Sequence, residues 1–334
     1  MSESELSPPA LREGRIQATV GGVVPPTAPA ASGERIVRLQ QDDVSLEFMA
    51  ARANRYQAAA RVLGWQFVLI LSTAVAAYFK PRVTGAAMLI DVWIAAALFI
   101  ELWLDAVQER RREEGATIQE MYDRRLFFGQ TSAGEWEDEI PVETRNCWAS
   151  EALKHASARQ KSEWREWYPV AVAQLPLGLA RLACQRTNAW WDHNQRDRFA
   201  SWLLTAGALL IVSILTLAII PDLSRAEVRD QVIVWLPLPY WLMREALRQR
   251  RAARAGQRIL DHAMMAIHRA VDTPHLVDEE SLRQSAETLQ SATLRRRQDN
   301  PMVPRWFYRL HRQQNEGAVG RGVEDILARL HREP

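Results

Sequence analysis

The stretch from Phe199 to Pro221 runs for 23 residues without a charged side chain. A helix of that length spans the ~30 Å hydrocarbon core of a bilayer. A second uncharged stretch, Val62 to Phe79, lies between Arg61 and Lys80. These two stretches predict an integral membrane protein.

Two further segments are apolar but contain charged residues. Val83 to Leu104 follows the second stretch after a link of only three residues, which predicts a tight hairpin. Val228 to Met243 is the weakest, because its uncharged run begins at Gln231 and contains Pro237 and Pro239. Such a short run is also compatible with a re-entrant or interfacial piece. We favour a span, because its flanking charges fit one and membrane helices tolerate proline.

The predicted fold class is therefore an all-α membrane protein. Four transmembrane helices form two hairpins, and the middle loop and C-terminal part build a helical cytoplasmic region. The predicted organisation is a disordered tail (1–34), a cytoplasmic lead-in helix (35–61), transmembrane hairpin 1 (62–104), a cytoplasmic helical sensor region (105–198), transmembrane hairpin 2 (199–243) and a cytoplasmic helical C-terminal region (244–334).

Basic residues beside the spans set the orientation. Arginines gather before segment one, after segment two and after segment four, whereas each short link holds only two basic residues. Since positive charge favours the cytoplasmic side, both termini and the middle region are predicted to be cytoplasmic. The expected location is the bacterial inner membrane, crossed several times.

Helical periodicity extends into the polar regions. Ile118, Met121, Tyr122 and Leu126 recur at helical spacing, so segment two is predicted to continue as a long helix until Gly129. Further helices are predicted at about 142–160, 176–198, 260–271, 274–297, 305–315 and 321–332.

Asp91, inside segment two, is the candidate pore or gating residue. An ionisable group at membrane depth is costly and usually faces a bundle interior or water. The alternative is a packing residue that is protonated or hydrogen-bonded to a neighbouring helix. The sequence leaves both open.

A second candidate site lies on the helix before segment three. Arg181, Gln185, Asn188, Asp192 and Arg196 share one helical face. One hypothesis is that the arginines bind a phosphorylated ligand and that neighbouring tryptophans stack on its bases. The other is a solvated face with i,i+4 ion pairs and interfacial aromatics. The candidate ligand-binding residues are Arg181, Gln185, Arg186, Asn188, Trp190, Trp191, Asp192 and Arg196.

Catalytic and metal-binding patterns are missing from the sequence. The two cysteines, Cys147 and Cys184, lack metal-ligand spacing, and no nucleophile elbow, phosphate loop or dinucleotide motif is present. We expect no enzyme activity, no cofactor and no metal. A net charge of +2 does not suggest DNA or RNA as a partner.

Four stretches together carry a family resemblance. They are Ile118–Asp123 leading into Leu126-Phe127, Trp167-Tyr168-Pro169, Cys184–Asp192 and Pro304–Tyr308. With the spans around them, residues 45–332 resemble the S-4TM family, the four-transmembrane effectors associated with bacterial second-messenger (SMODS) nucleotidyltransferases.

This resemblance implies a pore-forming effector in anti-phage defence. A partner enzyme would make a cyclic oligonucleotide, which the effector would sense in the cytoplasm before permeabilising the inner membrane. Four helices alone do not easily enclose a wide aqueous path, so we expect a homo-oligomer in the lipid bilayer. The alternatives are a constitutive ion channel or small transporter, and a membrane scaffold without pore activity.

Overall fold

The computed structural model describes residues 32–80, 83–129, 140–218 and 232–331. The predicted disordered tail lies outside them except for its last three residues. The described residues form nine α-helices and no strand: α1 Glu34–Gln40, α2 Asp43–Phe79, α3 Ala87–Phe128, α4 Val142–His155, α5 Ala158–Arg165, α6 Leu177–Ala218, α7 Pro237–Asp272, α8 Glu279–Asp299 and α9 Arg305–Leu330. The predicted all-α fold class is confirmed in this respect.

Local chemistry explains where several helices begin and end. Asp42 and Asp278 accept hydrogen bonds from the backbone N–H groups of Ser45 (2.8 Å) and Ser281 (2.9 Å), which caps α2 and α8. Gly129 adopts a left-handed φ of 71°, which ends α3 where the sequence predicted a break.

Three helices are long and apolar enough to cross a membrane within the described residues: α2, α3 and Leu177–Thr216 of α6. Only 6% of the most apolar part of α3 is buried inside the protein. Large side chains such as Met88 and Phe99 are instead exposed. Apolar surface on this scale favours contact with lipid.

The fourth predicted segment lies partly outside the described residues, which resume at 232. Its described part packs beside α2 in the opposite direction. The Trp235 ring lies 5.9 Å from Tyr78, and the Trp241 ring lies 5.8 Å from Phe67. A fourth crossing and the pairing of spans into two hairpins stay predictions.

The remaining helical segments form a polar head, defined here as residues 32–61, 105–129, 140–198 and 244–331. Its core joins Tyr122 and Phe127 of α3, Leu182 of α6 and Ile36 of α1, none of which is exposed. Each fully buried large apolar side chain stabilises the fold by roughly 1.5–3 kcal/mol.

Three local predictions about the head were wrong. The stretch predicted as one helix at 142–160 holds α4 and the start of α5, because Ser157 Oγ accepts a hydrogen bond from the backbone N–H of Gln160 (3.2 Å) and caps a new helix. The lead-in is two helices, because Asp42 caps a new helix and its carboxylate pairs with Arg125 at 2.5 Å. The C-terminal region 305–330 is one helix rather than two, because Phe307 and Val323 at opposite ends of α9 are both buried. The continuation of segment two to Phe128 as one helix is confirmed.

Candidate anion-binding cavity

The head contains a cavity of about 790 Å³ between α2, α5, α6, α8 and α9. Two carboxylates line it, Glu163 and Asp192. The arginines that line it number nine: Arg52, Arg112, Arg159, Arg196, Arg296, Arg297, Arg305, Arg309 and Arg312.

Carboxylates outside the cavity neutralise only some of this charge. Asp123 lies 2.7 Å from Arg297. Glu316 and Glu109 pair with Arg312 (2.5 Å) and Arg112 (3.4 Å). Within the described residues, five carboxylates thus form ion pairs with these nine arginines, four fewer than the number of arginines. Concentrated positive charge in a partly desolvated cleft attracts anions more strongly than it would in water.

Arg52 has no carboxylate partner within the described residues. Its Nε donates to Gln119 Oε1 at 2.9 Å, and its guanidinium lies 4.3 Å from the ring centroid of Trp167 and 5.4 Å from that of Tyr56. Burial lowers the pKa of Arg52, since the charged form is poorly solvated there. Its terminal nitrogens are therefore available to an anionic ligand.

Asp192 holds two of the lining arginines in place. Its Oδ2 accepts from Arg196 Nε and Arg296 Nη1, both at 2.7 Å. Burial raises the pKa of this carboxyl, but the two guanidinium groups outweigh burial, and the pKa falls below its usual value. Arg196 also donates to Gln249 Oε1 (2.9 Å) and to the carbonyl of Pro301 (2.6 Å), which ties α6 to α7.

Three buried donors on the cavity wall have no acceptor within the described residues: Trp167 Nε1, Trp191 Nε1 and Arg296 Nε. Buried donors are seldom left unpaired, so each one calls for an explanation. A ligand rich in acceptor oxygens would satisfy them. The aromatic side chains lining the same cavity are Tyr56, Trp164, Trp167, Trp191 and Tyr308.

The structure divides the predicted ligand residues into two groups. Asn188, Trp191, Asp192 and Arg196 line the cavity together. Arg181, Gln185, Arg186 and Trp190 are not among its lining residues.

The residues outside the cavity have contacts of their own. Arg181 donates to the Phe127 carbonyl at 2.7 Å and to Glu279 Oε1 at 2.8 Å, which joins α6 to α3 and α8. Gln185 donates to the Ala286 carbonyl at 2.7 Å. Arg186 lies against Gly322 of α9, and Trp190 packs on the apolar core.

Asp91 lies in the second turn of α3, far along the chain from the cavity residues of that helix. Its Oδ1 lies 2.5 Å from Lys80 Nζ at the end of α2. The Asp91 side chain is 57% exposed. The carboxylate therefore pairs near the α2–α3 turn rather than inside a helix interface.

Most of the cavity wall was not predicted, because it comes from α2, α5, α8 and α9. One signal was present in the sequence: the four stretches that carry the family resemblance all meet here. The lining residues that they supply are Gln119, Trp167, Asn188, Trp191, Asp192, Arg305 and Tyr308. Residues separated by almost 200 positions thus build one site.

These features define a class: a helical membrane protein whose apolar helices continue into a polar head that encloses a basic, aromatic-lined cavity. The chain belongs to the family of SMODS-associating 4TM effector domains, whose model matches residues 34–326. Membership makes it a membrane effector associated with SMODS nucleotidyltransferase systems, in a family of transmembrane effectors and not of known enzymes. No curated protein and no solved structure matches the chain.

Proposed function

We propose that this protein is the membrane effector of a bacterial anti-phage signalling system. Its polar head, in the cytoplasm, binds a cyclic oligonucleotide made by a partner nucleotidyltransferase. Its apolar helices then permeabilise the inner membrane. The SMODS association supports the source of the messenger, and the arginine-rich cavity is the observation that carries the proposal.

The cavity offers both kinds of group that such a messenger needs. Arginine forks bind phosphate oxygens, and Arg52 and Arg305 have no carboxylate partner within the described residues. Trp191 and Tyr308, whose rings lie 5.7 Å apart, provide faces on which bases stack. A free phosphate would use only the first kind of group, so the aromatic lining favours a nucleotide.

Ligand binding acts on the membrane through helices that belong both to the polar head and to the apolar segments. Arg52 and Tyr56 belong to α2, whose apolar stretch begins at Val62, and Arg196 of α6 precedes its apolar stretch at Phe199. A ligand shifts a closed-to-open equilibrium only if it binds one state more tightly. We propose that the open state is an oligomer of four-span subunits in which α3 and Asp91 face water.

Isothermal titration calorimetry with the purified full chain and a panel of cyclic di- and trinucleotides tests the binding step. Arg52→Ala and Trp191→Ala should each weaken binding of the active nucleotide at least about tenfold, the loss of one strong contact. Arg186→Ala, an arginine of α6 outside the cavity, is the matched control and should bind normally. Equal binding by all three variants would exclude the cavity as the site.

Dye release from vesicles that contain the protein tests the second step. The nucleotide that binds should trigger release, and other nucleotides should not. Release without any nucleotide would instead support a constitutive channel. Binding without release would support a scaffold.

A further inference from the structure

A second cavity lies where the polar head meets the apolar segments. This crevice has a volume of about 700 Å³ and lies between α2, α4, α5, α6, α7 and the start of α9. Leu63, Phe67, Leu203 and Leu242 form its apolar walls. Phe67 and Leu203 lie near the starts of the apolar stretches of two helices that are able to cross a membrane, so the crevice lies where these stretches begin.

The crevice is open at its side. Phe67, Trp202 and Trp306 line it and keep 38%, 48% and 52% of their surface exposed. Trp164 and Trp241 also line it. The Trp202 and Trp306 rings lie 5.4 Å apart, and tryptophan is enriched at the boundary between hydrocarbon and headgroups. A lipid molecule therefore has lateral access to it.

Arg61 and Arg305 also line the crevice, and neither has a carboxylate partner within the described residues. The carboxylates of the lining are already engaged. Glu245 pairs with Arg248 at 3.5 Å, and Glu151 pairs with Lys154 at 3.7 Å. Burial lowers the pKa of Arg305, and the neighbouring Arg309 lowers it further. An anionic group beside Arg305 would relieve both effects.

We propose that this crevice binds a phospholipid from the bilayer leaflet next to the polar head. One acyl chain lies along Leu63, Phe67 and Leu203, and the phosphate contacts Arg61 and Arg305. The apolar volume suits a hydrocarbon chain, and a pocket of this size is large enough to bury most of a small ligand. A nucleotide fits these walls poorly, because they would leave its polar edges unpaired.

The lipid site adjoins the basic cavity. Gln57, Ala60, Gln160, Trp164 and Arg305 line both. One guanidinium cannot fully bind two phosphates at once, so an anion in the basic cavity and the phospholipid each weaken the binding of the other. This coupling rests on the proposed function, whereas the lipid site itself does not.

Photolabelling tests the lipid site without any nucleotide. The full chain is reconstituted in vesicles of phosphatidylethanolamine and phosphatidylglycerol that contain a trace of phosphatidylglycerol with a diazirine in its acyl chain. After illumination, mass spectrometry should locate most adducts on the crevice walls. Adducts spread evenly over the exposed apolar surface of α3 would overturn the proposal.

A pair of glycine variants makes the test specific. A Cβ added at Gly64, which lines the crevice, meets nothing within 4 Å, so Gly64→Leu should fold and fill the space. Crevice adducts should fall at least about fivefold. Gly85→Leu, at a glycine that is equally open but lies at the α2–α3 turn, should leave them unchanged. Equal labelling of both variants would refute the site.

Two further measurements test the phosphate contact and the coupling. Arg305→Ala should reduce crevice adducts at least about threefold, and Arg305→Lys should restore part of them; no change would refute the role of Arg305. Inorganic pyrophosphate, added as an anion that occupies the basic cavity, should also reduce the adducts. If pyrophosphate binds in the basic cavity and the number of crevice adducts stays the same, the coupling is refuted and the lipid site is not.

Discussion

Asp192→Asn should weaken the fold and strengthen anion binding at the same time. The carboxylate neutralises Arg196 and Arg296 on the wall of the basic cavity, each at 2.7 Å. Asparagine keeps the shape and one acceptor oxygen but removes the charge. The two guanidinium groups then face the cavity without a competing anion.

The size of the gain follows from the cavity. A sphere of 790 Å³ has a radius of roughly 6 Å. One unit of negative charge on a phosphate at its centre therefore repels the Asp192 charge by about 3 kcal/mol at an effective dielectric constant of ~20. Salt screening at physiological ionic strength reduces this to about 1–2 kcal/mol. We therefore expect pyrophosphate to bind roughly tenfold more tightly.

The cost in stability has a different origin. Removing one partner of a buried ion pair costs about 3–5 kcal/mol. Because the Asp192 side chain is 28% exposed and asparagine keeps an acceptor, we expect a loss of about 2–3 kcal/mol. The lowered pKa of Asp192 also means that its stabilising effect is present above the unfolded pKa of about 4 and is lost as pH falls through the folded pKa. The variant should lack this acid-induced loss.

Calorimetry with pyrophosphate measures the affinity, and denaturant unfolding between about pH 2 and 7 measures the stability across the pKa range. Asp43→Asn is the matched control, because Asp43 is 87% exposed and pairs with Arg165 away from the cavity. Unchanged or weaker pyrophosphate binding by Asp192→Asn would show that the charge of the cavity does not govern anion binding.

Three further predictions concern the head, the topology and Asp91. Arg181→Ala should lower the free energy of unfolding by about 2–4 kcal/mol, because it leaves the buried Phe127 carbonyl without a donor. Nucleotide binding should persist. A stable variant that cannot bind nucleotide would show instead that Arg181 belongs to the binding site. The exposed Cys147 should resist an impermeant maleimide in intact cells and react after lysis, whereas Val83→Cys should react in both; the opposite pattern would invert the orientation. Asp91→Asn should change the ion selectivity of nucleotide-triggered leakage without changing nucleotide binding, and identical selectivity would remove Asp91 from the ion path.

The sequence predicted well those features that depend on short stretches of chain. Long apolar stretches located α2, α3 and α6 as membrane-capable helices, and periodicity extended α3 to Phe128. Where a helix is briefly interrupted or continues was harder to predict. The chain between Gln40 and Asp43 interrupts a helix through one capping carboxylate, and α9 runs without a break through residues 316–320, where the sequence predicted the end of one helix and the start of another.

The cavity was only partly predictable, because its wall is a product of packing. The periodicity of α6 placed Arg181, Gln185, Asn188, Asp192 and Arg196 on one face. It could not show that α8 covers the first two through Glu279 and Ala286, while the other three border open space. Many of the partners that complete the site lie on α2, α8 and α9, about 100 residues or more away along the chain.

The continuity of α2 has a mechanical consequence. Tyr56, at the basic cavity, and Phe79, at the far end of the apolar stretch, belong to one uninterrupted helix and are about 35 Å apart at 1.5 Å per residue. A tilt of about 5° around the cavity would displace the Phe79 end by roughly 3 Å over that length. Under the proposed function, a tilt this small at the basic cavity would therefore be enough to produce, at the far end of the apolar stretch, a displacement comparable to the diameter of a water molecule.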